Sequence, residues 1–120
     1  MADRVLLISW GEVVRGREER ALEVFNEALG MYGRLQQEGR IEGFDVALLE
    51  PSSGLGGYIA IRGSADQMAA LAEDDAFRRL ILDSTLVVDD VRVVPGRTNE
   101  ALAGEIAMYQ EAISKVPQSA

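Results

Sequence analysis

The sequence predicts an α+β domain in which a four-stranded antiparallel sheet carries its helices on one face. Three observations lead to this prediction. The chain has 120 residues, which is the size of one domain. Short β-prone segments alternate with segments that have helical spacing. Two of the β-prone segments follow each other with only a turn between them, which indicates an antiparallel hairpin.

The first half of the chain supplies one strand, one helix and the hairpin. Residues 5–10 are a short apolar, β-prone run, as in a buried strand. Over residues 17–37, apolar side chains recur every three or four positions, which predicts an amphipathic helix. Residues 41–50 alternate and predict a second strand. The turn at 51–57 joins it to a third strand at 58–62.

The second half predicts three helices and one more strand. A capping box that begins at Ser64 starts the second helix. Asp74 or Asp75 caps a short third helix. Residues 86–94 predict the fourth strand, and Asn99 caps a last helix.

The resulting order is strand, helix, strand, strand, helix, strand, which is the split βαβ arrangement of ferredoxin-like folds. We expect a single domain over residues 1–120. Its core covers residues 4–96, and an extra C-terminal helix covers residues 98–115.

Composition excludes several kinds of chemistry. The chain has no Cys and no His, which excludes disulfides, zinc-thiolate sites, His-based triads and His-ligated haem. We therefore expect no cofactor. The acidic pairs at 74–75 and 89–90 lack the spacing of a metal-binding loop, so we expect no metal.

A net charge of −8 argues against nucleic acid and anionic membranes as partners. The apolar run at 5–10 is too short for a signal peptide or a membrane span, so we expect a soluble cytoplasmic protein.

Two helices leave one face of the sheet uncovered, and side-chain alternation predicts which residues lie there. The expected residues are Leu6, Ile8, Trp10, Asp45, Ala47, Leu49, Tyr58, Ala60, Arg62, Arg92 and Val94. An apolar patch of this extent usually marks an interface or a ligand groove. We therefore expect a homodimer that forms through this face, with a sheet-face cavity for a small molecule.

The chain resembles the dimeric α/β-barrel superfamily over residues 4–96. Three features carry the resemblance: Ser-Trp-Gly at 9–11 ends the first strand, an acidic-capped helix lies at 73–80, and Pro-Gly follows the strand at 87–94. The resemblance implies two sheets packed face to face, with a cavity in each subunit. Members include cofactor-free monooxygenases, isomerases and haem-degrading monooxygenases. The last generally need an axial His, which this chain lacks.

Asp45 and Arg62 are the candidate catalytic residues. A desolvated Asp45 is suited to remove a proton as a general base, and Arg62 and Tyr58 are suited to steady the resulting oxyanion. The candidate substrate-binding residues are Trp10, Tyr58 and Arg92, with Trp10 stacking on the substrate.

These candidates also have ordinary structural explanations. Trp10 can fill the core or the dimer interface. Arg62 can pair with Asp45, with Asp90 or with a partner's carboxylate, and Tyr58 can pack with its hydroxyl in water. Two functions remain open on these residues: binding of a small apolar or aromatic ligand, or a cofactor-independent monooxygenase or isomerase acting on an aromatic or enolisable substrate. A regulatory subunit whose last helix moves is a third hypothesis.

Overall fold

The computed structural model describes residues 2–50 and 54–117, which contain four strands and four helices. Along the chain these are β1 (Arg4–Trp10), α1 (Glu18–Gln37), β2 (Gly43–Leu48), β3 (Gly57–Gly63), α2 (Ala65–Glu73), α3 (Asp75–Thr85), β4 (Arg92–Arg97) and α4 (Glu100–Ser114). The predicted α+β class and the βαββαβ order are confirmed.

The strands form one antiparallel sheet in the order β2-β3-β1-β4. In the register of the central strands, Leu6 lies opposite Ile61 and Ile8 lies opposite Ile59. Directly opposed residues share a face of the sheet, so these four side chains lie together. All four are buried in one core with the helices. We call this helix-covered side the inner face and the other side the outer face.

Helices α1, α2 and α3 cover the inner face. The stripe that α1 buries is Ala21, Val24, Ala28, Tyr32 and Leu35. At the start of α2, the Ser64 hydroxyl accepts the Gln67 backbone N–H, and the Gln67 side chain accepts the Ser64 backbone N–H. The Asp74 carboxylate accepts the backbone N–H of Phe77 at 2.9 Å and so caps α3. Both predicted caps are confirmed because each depends only on local hydrogen bonds.

The predicted face of β1 is wrong. Leu6, Ile8 and Trp10 point to the inner face, beneath the helices of their own subunit, whereas Val5 and Leu7 point to the outer face. In β1 both alternating sets of side chains are largely apolar, so alternation cannot decide which set is buried. Pairing with the buried isoleucines of β3 decides it instead.

The predicted fourth strand, 86–94, begins too early. β4 covers Arg92–Arg97. Before it, Val88 forms an isolated bridge with Val13, and Asp90 has a φ of 51°. A non-glycine residue with positive φ leaves the strand conformation, so the apolar run does not continue into the sheet.

The second strand is also shorter than the predicted range of 41–50. β2 ends at Leu48, so Leu49 follows the strand instead of lying on the outer face. The turn predicted at 51–57 includes residues 51–53, which lie outside the described residues.

Helix α4 extends from the sheet and does not join the core. None of its residues is buried, although the structure describes α4 throughout. It contacts β4, and the Nε of Arg97 lies 3.5 Å from a carboxylate oxygen of Glu105. Asn99 is the N-cap residue of α4, as predicted, but its side chain accepts no backbone N–H of the helix; its side-chain amide donates to the Ala2 carbonyl oxygen at 2.8 Å. Within the described part of the chain, no helix has both the length and the apolar character needed to cross a membrane.

Candidate ligand-binding site

An apolar pocket lies between the inner face of the sheet and helices α1 and α3. Its volume is about 320 Å³, which is within the usual range for small-molecule sites. The described residues that line it are Ile8, Trp10, Val13, Glu18, Ala21, Leu22, Val24, Phe25, Ala28, Tyr32, Leu48, Ile59, Leu80, Ile81, Ser84, Val87, Val88 and Val91. Most of these side chains are apolar, so the pocket suits an apolar or aromatic molecule.

Two aromatic rings line the pocket in contact with each other. Trp10 ends β1, and its ring meets Phe25 of α1 edge to face, with the centroids 6.1 Å apart. Glycine at position 57 makes room for the indole, because a Cβ there would lie 2.7 Å from the Trp10 Cζ2 atom. The indole is therefore fixed by the helix on one side and by the backbone of β3 on the other.

Tyr32 is the most deeply buried aromatic residue of the lining, with only 1% of its surface exposed. Its ring packs against Phe44 and Phe77, with centroid distances of 5.8 Å and 6.4 Å. Burial raises the pKa of the Tyr32 hydroxyl above its ordinary value. The hydroxyl therefore stays protonated at physiological pH.

Two further polar side chains of the lining already have partners. The Ser84 hydroxyl donates to the Leu80 carbonyl oxygen at 2.9 Å. The Glu18 carboxylate accepts the Gly16 backbone N–H at 2.9 and 3.0 Å, which lowers the pKa of Glu18. For Tyr32, no hydrogen bond to any described residue is found. Among the lining side chains, the hydrogen-bond donors that remain open are therefore the neutral Tyr32 hydroxyl and the indole N–H of Trp10.

The predicted site residues fall on two faces of the sheet. Asp45, Tyr58, Arg62 and Arg92 lie on the outer face, and the Arg62 guanidinium forms an ion pair with the Asp45 carboxylate. Trp10 lines the pocket on the inner face. The structure thus brings Asp45 and Arg62 together but separates them from Trp10, so the prediction that all five share one face is wrong.

Arg92, the last of the four predicted site residues on the outer face, has a separate partner. The Nε of Arg92 lies 3.1 Å from the Asp90 carboxylate, and both side chains are exposed. In the described residues, no group of three or more acidic side chains is arranged to hold a metal ion. Ion pairing thus engages both outer-face candidate arginines within their own chain.

Sequence reasoning did not assign Phe25 and Tyr32 to a site. Both belong to the apolar side of α1, where their spacing predicted core packing. The signal that identifies them is the face of β1: once Trp10 is on the inner face, these rings and the indole line the same space. The error in β1 therefore also concealed the pocket.

No family model matches the sequence, and no curated protein matches it. Solved structures do match its fold. A dimeric ferredoxin-like protein of unknown function from Jannaschia sp. CCS1 has 14% identity and a TM-score of 0.60, over 78% of this chain and 96% of that one. A dimeric protein of unknown function and ferredoxin-like fold from Bacteroides fragilis also has 14% identity, with a TM-score of 0.58, over 78% of this chain and 95% of that one.

A third match is SnoaB, a cofactor-independent oxygenase from Streptomyces nogalater. It has 16% identity and a TM-score of 0.53, over 82% of this chain and 96% of that one. At such low identities these likenesses establish the fold alone. The chain has a ferredoxin-like fold.

Proposed function

We propose that this protein binds a small apolar or aromatic molecule in the pocket between the inner face of the sheet and helices α1 and α3. The observation that carries the proposal is the lining itself, in which Trp10, Phe25 and Tyr32 belong to one apolar space of about 320 Å³. A closely packed interior normally leaves few voids larger than a water molecule, so a pocket of this volume suits a ligand.

The working unit that we propose is a homodimer formed through the outer face. Leu7 and Val94 lie opposite each other there and are 37% and 49% exposed. Helix α4, which contacts β4, also exposes the side chains of Leu102 and Ile106. Two of the proteins that share this fold are described as dimeric. Pairing through the outer face would leave the inner face of each subunit to its own pocket.

Catalysis by Asp45 and Arg62, as a cofactor-independent monooxygenase or isomerase, stays a prediction. These two side chains pair with each other on the face opposite the pocket. Among the described lining residues the one carboxylate is Glu18, whose pKa is lowered by the Gly16 N–H. A lowered pKa makes a weaker general base, so we favour binding over proton abstraction in the pocket.

The test is a ligand titration followed by NMR at the indole N–H of Trp10, which gives a single resonance because the chain has one Trp. We expect naphthalene and 2-naphthol to shift this resonance in a saturable way. The substitution Ser84→Phe fills the pocket and should abolish the shift, while the fold is retained by circular dichroism.

The matched control is Thr85→Phe, since Thr85 is the next residue, is exposed and does not line the pocket. This variant should bind both ligands as the wild type does. The proposal is wrong if neither ligand shifts the Trp10 resonance up to its solubility limit. It is also wrong if Ser84→Phe binds as tightly as Thr85→Phe.

A further inference from the structure

We infer that the pocket selects an uncharged ring compound that carries a hydroxyl or carbonyl oxygen, and that Tyr32 is the residue that recognises this oxygen. The inference rests on the proposed ligand-binding function and adds to it the chemical class of the ligand. It excludes carboxylates and other anions of the same size.

The first step of the argument is the state of the polar groups around the pocket. The Ser84 hydroxyl donates its one proton to the Leu80 carbonyl, and the Glu18 carboxylate only accepts, so neither can donate a hydrogen bond to an oxygen of a ligand. The Tyr32 hydroxyl has no partner among the described residues. Among the described residues no side-chain polar atom is both fully buried and without a partner, so this hydroxyl reaches accessible surface, and the pocket that Tyr32 lines offers it that surface. An oxygen of the ligand would supply the missing partner.

The indole N–H of Trp10 is directed elsewhere. Its nitrogen is bonded to two ring carbons, Cδ1 and Cε2. A Cβ at Gly56 would lie 3.2 Å from Cδ1, and a Cβ at Gly57 would lie 3.2 Å from Cε2. This edge of the indole therefore faces the backbone where β3 begins. The ring's apolar surface is what remains for a ligand, and the hydrogen-bonding role falls to Tyr32.

The second step concerns charge. No Lys or Arg is among the described residues that line the pocket, and the one charged group there is the Glu18 carboxylate. An anion that entered would lose its hydration without gaining a cation in exchange. The net charge of −8 adds a further unfavourable field. An uncharged ligand has neither disadvantage.

The third step is the protonation state of Tyr32 itself. Its burial among Phe44 and Phe77 raises the pKa of the hydroxyl, which stays neutral through the physiological range. A neutral hydroxyl can donate to a carbonyl oxygen and can donate to or accept from a hydroxyl. These are the oxygen groups that the inference assigns to the ligand.

Three ligands with one ring system test the inference: naphthalene, 2-naphthol and 2-naphthoate, each titrated at pH 7 against the Trp10 indole resonance. In the wild type we expect 2-naphthol to bind about tenfold more tightly than naphthalene, which is the effect of one net hydrogen bond. We expect 2-naphthoate to bind at least about tenfold more weakly than 2-naphthol.

The decisive variant is Tyr32→Phe, which keeps the ring and removes the hydroxyl. It should weaken 2-naphthol about tenfold, to the affinity of naphthalene, and leave naphthalene itself unchanged. Tyr58→Phe is the matched control, because Tyr58 lies on the outer face and does not line the pocket. It should leave all three affinities as they are.

Several results would overturn the inference while the proposed binding function stands. These are equal binding of naphthalene and 2-naphthol to the wild type, equal weakening of both ligands by Tyr32→Phe, or binding of 2-naphthoate as tight as that of 2-naphthol. If none of the three ligands binds, the proposed function fails and the inference fails with it. Naphthalene binding thus distinguishes the two failures.

Discussion

The indole ring of Trp10 meets the phenyl ring of Phe25 edge to face, with the ring planes inclined at 69° and the centroids 6.1 Å apart. Trp10 is the last residue of the central strand β1, and Phe25 belongs to the helix that covers it. The contact therefore joins the sheet to α1 at the wall of the pocket. An aromatic pair of this geometry contributes about 0.5–1.5 kcal/mol beyond the area that it buries.

We expect Phe25→Leu to lower the free energy of unfolding by about 1–2 kcal/mol, because it keeps an apolar side chain but removes the ring edge. It should also weaken the near-ultraviolet circular dichroism of Trp10. Urea unfolding measures the first effect. Leu22→Ala is the control, since Leu22 lies on the same helix and is 61% exposed. An equal loss of stability in the two variants would contradict the role given to the ring contact.

Substitution by alanine should change the free energy of unfolding in opposite directions at two glycines, Gly57 and Gly33. At Gly57, a Cβ would lie 2.6 Å from the Ala47 carbonyl oxygen and 2.7 Å from the Trp10 ring, so Gly57→Ala should lower the free energy of unfolding by about 1–3 kcal/mol. Within α1, nothing lies within 4 Å of a Cβ at Gly33. Gly33→Ala should raise the free energy of unfolding by about 0.5–1 kcal/mol.

Thermal and urea unfolding of the two alanine variants, made in the same background, measure this difference. The Gly57 variant should also shift the Trp10 indole resonance, whereas the Gly33 variant should not. A Gly57→Ala protein that is as stable as the wild type would mean that the indole does not need the space on β3.

Asp74 should stabilise the protein more than its neighbour Asp75. Its carboxylate caps α3 and lies 2.7 Å from the Arg40 guanidinium, so Asp74→Ala should cost about 1–2 kcal/mol. Asp75 only pairs with Arg78 on the exposed surface, and Asp75→Ala should change stability by less than about 0.5 kcal/mol. Urea unfolding of both variants at neutral pH measures the difference.

The contribution of Asp74 should also depend on pH. The hydrogen bond from Arg40 and then that from the Phe77 N–H hold the pKa of Asp74 below its usual 3.8. The folded state therefore favours the ionised form, so this stabilisation is present above about pH 4 and is lost as the pH falls below it. Wild type and Asp74→Ala should converge in stability at low pH, and a constant difference would contradict the assignment.

Tyr32 should make the protein less stable at high pH. Because burial raises the pKa of its hydroxyl, the folded state favours the neutral form, while the unfolded chain ionises with the ordinary value of 10.0. The contribution is fully present below pH 10 and decreases above it, by at most about 1.4 kcal/mol per pH unit. Urea unfolding between pH 8 and 11 should give a shallower decline for Tyr32→Phe. Equal declines would contradict this burial.

Local signals in the sequence predicted the helices well. The capping box at Ser64 and the cap at Asp74 depend on hydrogen bonds within one helical turn, so they can be recognised without knowledge of the fold. Asn99 had the same local pattern, but its side chain reaches the Ala2 carbonyl instead, at the other end of the chain. A partner so distant in sequence could not be predicted from local spacing.

The candidate site was predicted only in part, for a related reason. Asp45 and Arg62 were expected on one face, and they are, because β3 alternates clearly and the register places Asp45 opposite Ala60, on the same face as Arg62. In β1, Leu6 and Leu7 are equally apolar, and only the pairing with β3 decides that Leu6 is the buried one. That long-range choice also determines where Trp10 lies. The pocket therefore depended on a strand whose sequence does not fix its face.

The proposed dimer makes a prediction about that same strand. Leu7 faces outward beside Val94 of β4, so a glutamate at either position would carry a charge into the interface twice, once from each subunit. Val94→Glu should raise the dimer dissociation constant by about 100-fold, because burying an unpaired charge is costly.

Leu82→Glu is the matched control, since Leu82 is 65% exposed on α3, away from the outer face. Sedimentation velocity at micromolar concentration should find a dimer for the wild type and for Leu82→Glu, and a monomer for Val94→Glu. A wild type that is monomeric, or a Val94→Glu protein as dimeric as the control, would rule out pairing through this face.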